Sequence, residues 1–195
     1  MNDSTTGNPV IHSIGHGNRG VTEFLSQLTA AGVRCVVDVR AYPASKRHPQ
    51  YTRMALETAL RGAGIRYLWE GEALGGMRRP LDASLHTALN DPAFRGFADH
   101  MADNSFRQAV ARILKLAADA PLALMCAERE PRHCHRAFIA DALMLAGAEI
   151  RHLIDLNDVR RHALSEGARL LPDGGLVYDA CVQLGLGLNE PAPGK

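Results

Sequence analysis

With 195 residues, 46% of them hydrophobic, the chain is long enough for one well-covered core and short for two. Its 22 basic and 21 acidic residues leave a formal charge of +1, so no global field exists to hold a nucleic-acid backbone or an anionic membrane surface. No apolar run approaches the roughly 20 residues that cross a bilayer, and Met1-Asn2-Asp3-Ser4-Thr5-Thr6-Gly7 has neither the basic nor the apolar region of a secretory leader. A cytoplasmic protein without a membrane partner is expected.

Residues 1–8 read as a disordered tail. Short apolar runs at 10–14, 35–39, 65–68, 122–126 and 149–154 then predict five strands, the second and fourth nearly unbroken, as suits strands covered on both faces. Helical patterns alternate with them. Phe24, Leu25, Leu28 and Ala31 make one apolar stripe, and Leu56, Leu60 and Ala63 a second. Asp91-Pro92 reads as an N-cap and first helical position before Phe94, Phe97, Ala98 and Met101. Ser105 is the expected cap of the next helix, which carries Ala109, Val110, Ile113, Leu114 and Ala117. A last clear helix runs over 136–146, with Phe138, Ile139, Ala142 and Leu143 inward. Gly32, Gly64 and Gly147 sit where helices should stop.

This order predicts a single three-layer α/β domain over 9–160 with a mainly parallel, doubly wound five-stranded sheet. A helix and a turn are expected after Asp158. Residues 161–188 are read as a segment packed on the domain and 189–195 as a loose tail.

Ligands of such sheets bind beyond the carboxyl ends of the strands, and the residues there are unusually polar. Gly15-His16-Gly17-Asn18 follows the first strand, and its glycines would let backbone amides approach an anion. It lacks the third glycine of a dinucleotide fingerprint and the lysine of a P-loop, so a plain tight turn is the competing reading. His16 is a candidate proton carrier, metal ligand or ordinary loop histidine. Asp38 and Arg40 follow the second strand, with Ser45 beyond. Arg40 would clamp an anion and Asp38 orient it or act as base, unless the two form a structural ion pair. Alternation along the strands also pairs Cys126 with Glu128, and both pairs are expected to face one cleft.

Cys134 stands just before a helix, among Arg132, His133, His135 and Arg136. The dipole and the positive neighbours favour its thiolate. Cys126 is the other candidate thiol, or a buried small hydrophobe. Arg136 does not stand at the Cys-x5-Arg spacing of tyrosine phosphatases from either Cys126 or Cys134. Cys35, Cys126, Cys134 and Cys181 show no paired close spacing, so free thiols or ligands are expected rather than a disulfide frame. Cys126, Cys134, His135 and His16 also offer donors that zinc or iron accepts, although adjacent Cys and His rarely reach one ion. Nucleic-acid binding would rest on Lys46-Arg47-His48, Arg78-Arg79, Arg112, Lys115 and Arg160-Arg161, with Tyr42, Tyr51, Tyr67 and Trp69 for stacking; scattered cations are usually solvated surface.

Taken together, Ser13-Ile-Gly-His-Gly-Asn18, Asp38-Val-Arg40 with Pro43 and Ser45, Leu74-Gly75-Gly76, and Met125-Cys-Ala-Glu128 through Cys134-His-Arg136 resemble the bacterial and archaeal family called domain of unknown function 488. The likeness runs from about Val10 to Leu153. It implies a compact α/β domain with a shared polar constellation, and it brings no established activity. Members generally carry Gly-His-Ser after the first strand; Gly17 stands here, which removes a hydroxyl.

The resulting expectation is an enzyme acting on a small anionic, nucleotide-like substrate. Gly15, Gly17, Asn18, Arg40, Ser45, Gly75, Gly76, His135 and Arg136 would bind it; His16, Asp38, Cys126, Glu128 and Cys134 would supply the chemistry. A zinc- or iron-dependent site at the same cysteines and histidines is one alternative, and a non-catalytic ligand or nucleic-acid binding module another. A homodimer through an uncovered helix face is a further expectation.

Overall fold

Strands built from short apolar runs need cover on both faces, and the runs at 35–38 and 122–126 are buried along their whole length. The computed structural model describes residues 8–179. The tail expected at 1–8 lies outside these apart from Asn8, as do residues 180–188 and the tail at 189–195.

The five predicted strands form as β1 (Val10–Gly15), β2 (Cys35–Asp38), β3 (Arg66–Trp69), β4 (Leu122–Cys126) and β5 (Glu149–Asp155). All pair in parallel, in the order β3-β2-β4-β1-β5. A sixth strand, β6 (Asp158–Arg161), adds antiparallel to β5, and β7 (Ala168–Leu170) pairs with β8 (Leu176–Tyr178) in a separate hairpin. The helix expected after Asp158 is therefore replaced by strands joined by turns, and the boundary expected at residue 160 falls inside β6. The physical reason is local: β5 offers a free edge, and a tight turn after Asp155 returns the chain along it.

Alternation along each strand sorts the core into two layers. Ile14, Val36, Ala123 and Met125 face α1 (Val21–Ala30) and α2 (Arg53–Gly62), through Phe24, Leu28, Leu56 and Leu60. Ile11, Val37, Leu122, Leu124 and Ile150 face the opposite layer. That layer holds the short α3 (Gly71–Leu74), then α4 (Pro92–His100), α5 (Asn104–Asp119) and α6 (Arg136–Leu145). Phe97, Phe106, Ile113, Phe138 and Leu143 are its large apolar side chains.

Helix ends follow the sequence at most points. Asp91 caps α4 by accepting the Ala93 amide at 2.8 Å, and Gly32, Gly64 and Gly147 all take positive φ. Ser105 does not cap α5: the helix starts two residues earlier than that cap implies, at Asn104, with Asp103 at the cap position. Among the described residues no helix is long and apolar enough to cross a membrane.

Candidate functional site

Cys126 ends β4 on the same face as Leu122 and Leu124, so its thiol points into the layer that holds α6. The chain then turns through a short 3-10 segment, Pro131–His133, and delivers Cys134 and His135 to the start of α6. Arg136 fixes this return. Its fully buried guanidinium donates to Ser13 Oγ on β1 at 3.1 Å, to the Glu128 carbonyl, and to the Arg129 carbonyl at 2.6 Å. The same loop crosses so close over β1 that a Cβ at Gly15 would stand 1.7 Å from the Glu128 carbonyl oxygen. Gly15 is thus glycine for packing.

Three donor atoms converge as a result. His135 Nδ1 lies 3.9 Å from Cys126 Sγ and 3.9 Å from Cys134 Sγ, and all three atoms lie within 4.8 Å of one another. The far side of the ring is tethered: Nε2 donates to the Val39 carbonyl at 3.1 Å, which requires the proton on Nε2 in the neutral ring and leaves the Nδ1 lone pair toward the sulfurs. Phe97 packs edge-on against the imidazole, with ring centroids 5.0 Å apart. Adjacent Cys134 and His135 do both reach one point, because the chain is extended at Cys134 before it enters the helical turn at His135.

The two thiols ionise unequally. Burial opposes a charge on Cys134, but the Cys126 thiol, His135 and the Arg136 guanidinium outweigh it and hold Cys134 well below the usual thiol range. Cys126 is pushed well above it, first because it donates to the Cys134 sulfur and next by its own burial. The negative charge is thus favoured on Cys134 and disfavoured on Cys126.

A cleft of about 390 Å3 opens on these atoms. Arg40, Tyr42, Gly76, Phe94 and Glu128 border it beside Cys126, Cys134 and His135. Gly76 is the tightest wall: a Cβ there would lie 2.5 Å from His135 Nδ1.

His16 and Asp38 are not in this cluster, because they lie on the other face of the sheet. Asp38 sits beside Met125 across the β2–β4 pairing, in the layer of α1 and α2. It is fully buried; Oδ1 accepts from the Arg40 backbone amide (3.0 Å) and Nε (2.9 Å), and Oδ2 from an Arg40 terminal nitrogen (2.6 Å) and the Tyr67 hydroxyl (2.8 Å). The remaining terminal nitrogen of Arg40 donates to the Tyr51 carbonyl at 2.9 Å. The expectation that the Asp38/Arg40 and Cys126/Glu128 pairs face one cleft is corrected: parity across the pairing puts Asp38 and Cys126 on opposite faces, and of the first pair Arg40 alone borders the cleft. His16 stacks on Tyr51 at 4.1 Å and donates through Nδ1 to the Gly17 carbonyl at 2.8 Å. Burial pushes its pKa down to about 4, so the ring is neutral near pH 7.

The amides of His16 and Gly17 donate to the Cys126 and Ala127 carbonyls at 2.9 and 2.7 Å, so the turn extends the sheet rather than cradling an anion. Asn18 is exposed. Ser45 Oγ accepts the His48 amide at 2.9 Å, and Gly75 lets the chain pass close to Gly71 and Ala41. Arg136 is spent on the brace described above. Of the aromatics offered for base stacking, Tyr51 is fully buried and Tyr67 is tied to Asp38. Arg112 pairs with Glu70, Arg160 with Asp158 and Glu130, and Arg161 with Glu149.

Sequence reasoning missed a second buried polar cluster. Asp141, fully buried on α6, accepts from His162 Nε2 (2.8 Å), the Ser165 amide (2.9 Å) and the Tyr178 hydroxyl (2.9 Å), and His162 Nδ1 meets His152 Nε2 at 2.9 Å. Together with Tyr178 packed on Phe138, this network pins β6 to β8 onto the domain. The apolar face of the helix around Asp141 was its one sequence signal, since a lone carboxylate there needs partners.

Fold and site define a single, mainly parallel α/β domain with a cysteine–cysteine–histidine centre at the carboxyl end of its central strands. The chain belongs to the family described as domain of unknown function DUF488, whose model matches residues 20–143. That stretch includes Cys126, Cys134 and His135 and leaves the Gly15-His16-Gly17 turn outside. No curated protein and no solved structure matches the chain.

Proposed function

We propose that the protein is an enzyme whose reaction takes place at the Cys126–Cys134–His135 centre, on a small anionic substrate held in the adjoining cleft. The observation that carries this reading is the equal 3.9 Å approach of one tethered imidazole nitrogen to two buried sulfurs at the floor of a cleft. A pair of thiols with opposed pKa shifts beside a histidine is a reactive arrangement, whether its thiolate attacks a substrate or serves as a donor atom. Arg40 is the cation of the cleft wall, and Glu128 is the carboxylate at hand for proton transfer. A nucleotide or a similarly small anion is the substrate class this opening admits. Cys35, Cys126 and Cys134 are free thiols, which fits a cytoplasmic, reducing setting.

The test is competitive alkylation of the reduced, chelator-treated protein by iodoacetamide and iodoacetate, read residue by residue by mass spectrometry. Cys134 should react faster than a free thiol at pH 7 and should favour the anionic reagent more than free cysteine does. A rate no faster than that of free cysteine would refute the form of the reading in which the Cys134 thiolate attacks the substrate.

A further inference from the structure

We propose that Cys126 Sγ, Cys134 Sγ and His135 Nδ1 are the three protein ligands of a zinc ion, with the fourth position open to the cleft. The inference rests on the cleft being the reaction site, and it makes the thiolates donor atoms rather than attacking groups.

The geometry supports it on four independent points. A tetrahedral zinc, with Zn–S of about 2.3 Å and Zn–N of about 2.0 Å, separates its ligand atoms by about 3.5–3.8 Å. The two sulfur–nitrogen distances of 3.9 Å are a few tenths of an ångström wider, within reach of a small side-chain rotation. Secondly, Nε2 is bonded to the Val39 carbonyl, the outer contact that fixes a ligating histidine with its other nitrogen toward the metal. Thirdly, both cysteines are buried in the apolar layer that also holds Phe97 and Phe138, where thiolates need a cationic partner. Finally, all three donor residues line the 390 Å3 cleft, which leaves a fourth position within reach of a ligand there. Two thiolates, one imidazole and an open position form the donor set of a catalytic rather than a structural zinc.

With zinc in place, the open position would hold a water or a substrate oxygen. The ion would lower the pKa of a bound water, and Glu128, which lines the cleft, is the carboxylate that would take its proton. Arg40 borders the same cleft, its guanidinium already held by Asp38 and the Tyr51 carbonyl. His16 has no part in the site.

The experiment is titration of the reduced, full-length, metal-stripped protein with cobalt(II) and then zinc(II), followed by native mass spectrometry. Wild-type protein should take up a single equivalent of cobalt with thiolate-to-metal charge transfer in the ultraviolet and the intense visible bands of a tetrahedral site, and zinc should displace it. Cys126→Ser, Cys134→Ser and His135→Ala should each weaken zinc binding about 100-fold or more, whereas Cys35→Ala and Cys181→Ala should retain it. His135→Gln, which keeps much of the ring's volume, guards against a misfolded alanine variant and should also lose the tetrahedral spectrum. No cobalt spectrum, or uptake that survives Cys126→Ser and Cys134→Ser, would overturn the inference. Fast alkylation of Cys134 without metal uptake would sink the zinc site alone; slow alkylation without uptake would sink the catalytic centre as well.

Discussion

Replacing Gly76 with alanine tests whether the position of the His135 ring governs the thiols. The new Cβ would stand 2.5 Å from Nδ1 and 2.6 Å from Cγ of His135, where ordinary contact begins near 3.4 Å. The ring must therefore retreat by about 1 Å, yet Phe97 blocks one side and the Nε2 bond to Val39 anchors the other. Overpacking of this kind costs roughly 1–3 kcal/mol, and loss of the Val39 bond adds about 1 kcal/mol, so the variant remains folded if the parent is ordinarily stable. The larger effect falls on Cys134. The His135 contact is one of the groups that hold the Cys134 pKa down; losing a charge-assisted hydrogen bond to the thiolate removes about 1.5–3 kcal/mol and raises that pKa. The assay is the pH dependence of iodoacetamide labelling at Cys134 in chelator-treated protein, with urea unfolding run alongside. The labelling curve should move to higher pH, with rates about 10- to 100-fold lower on its acid limb. A folded Gly76→Ala protein whose curve superimposes on that of the parent would show that His135 does not set the reactivity of the pair.

Arg136→Met should cost on the order of 3–5 kcal/mol in urea unfolding, because Ser13 Oγ and two buried carbonyls lose their donor at once; a loss below about 1 kcal/mol would mean the guanidinium is not the brace of the Cys126–Cys134 loop. Acid should destabilise the fold through His16 and His152, whose pKa values burial holds at about 4 and about 3, below the ordinary 6.5. The unfolded chain takes up protons below about pH 6.5 that the folded chain refuses, so this contribution is intact above that pH. As pH falls toward 4, stability drops by about 1.4 kcal/mol per pH unit for each histidine. His152→Phe should flatten the slope between pH 6 and 4.5 by about that amount, and an unchanged slope would contradict the linkage.

The strands were legible because each is an apolar run of the right length bounded by turn residues, and the residues that meet at the site were all visible as chemistry-bearing positions. Cys134 before a helix, with Arg136 after it, already implied a thiolate. What the chain could not disclose was company. His16, Asp38 and Cys126 look equivalent as polar residues after strands, yet Asp38 faces α2 while Cys126 faces α6. Arg40 and Arg136 look like two anion clamps, yet both are held by acceptors of their own chain, and Arg40 alone borders the cleft. Gly15 and Gly76 look like an anion-binding turn and a loop; one admits a crossing backbone and the other an imidazole.

The sequence by itself determined the class of fold, the strand and helix order over most of the chain, and the inventory of thiols and imidazoles, because hydrophobic period and capping act within about a dozen residues. The tertiary structure alone decided the sheet order, the sixth strand on the β5 edge, the separation of Asp38 from the cysteines, and the meeting of Cys126 with Cys134 and His135. Those features depend on which strands lie side by side and in what register. A one-residue slip turns every side chain to the other face, so they are fixed only when the whole sheet assembles.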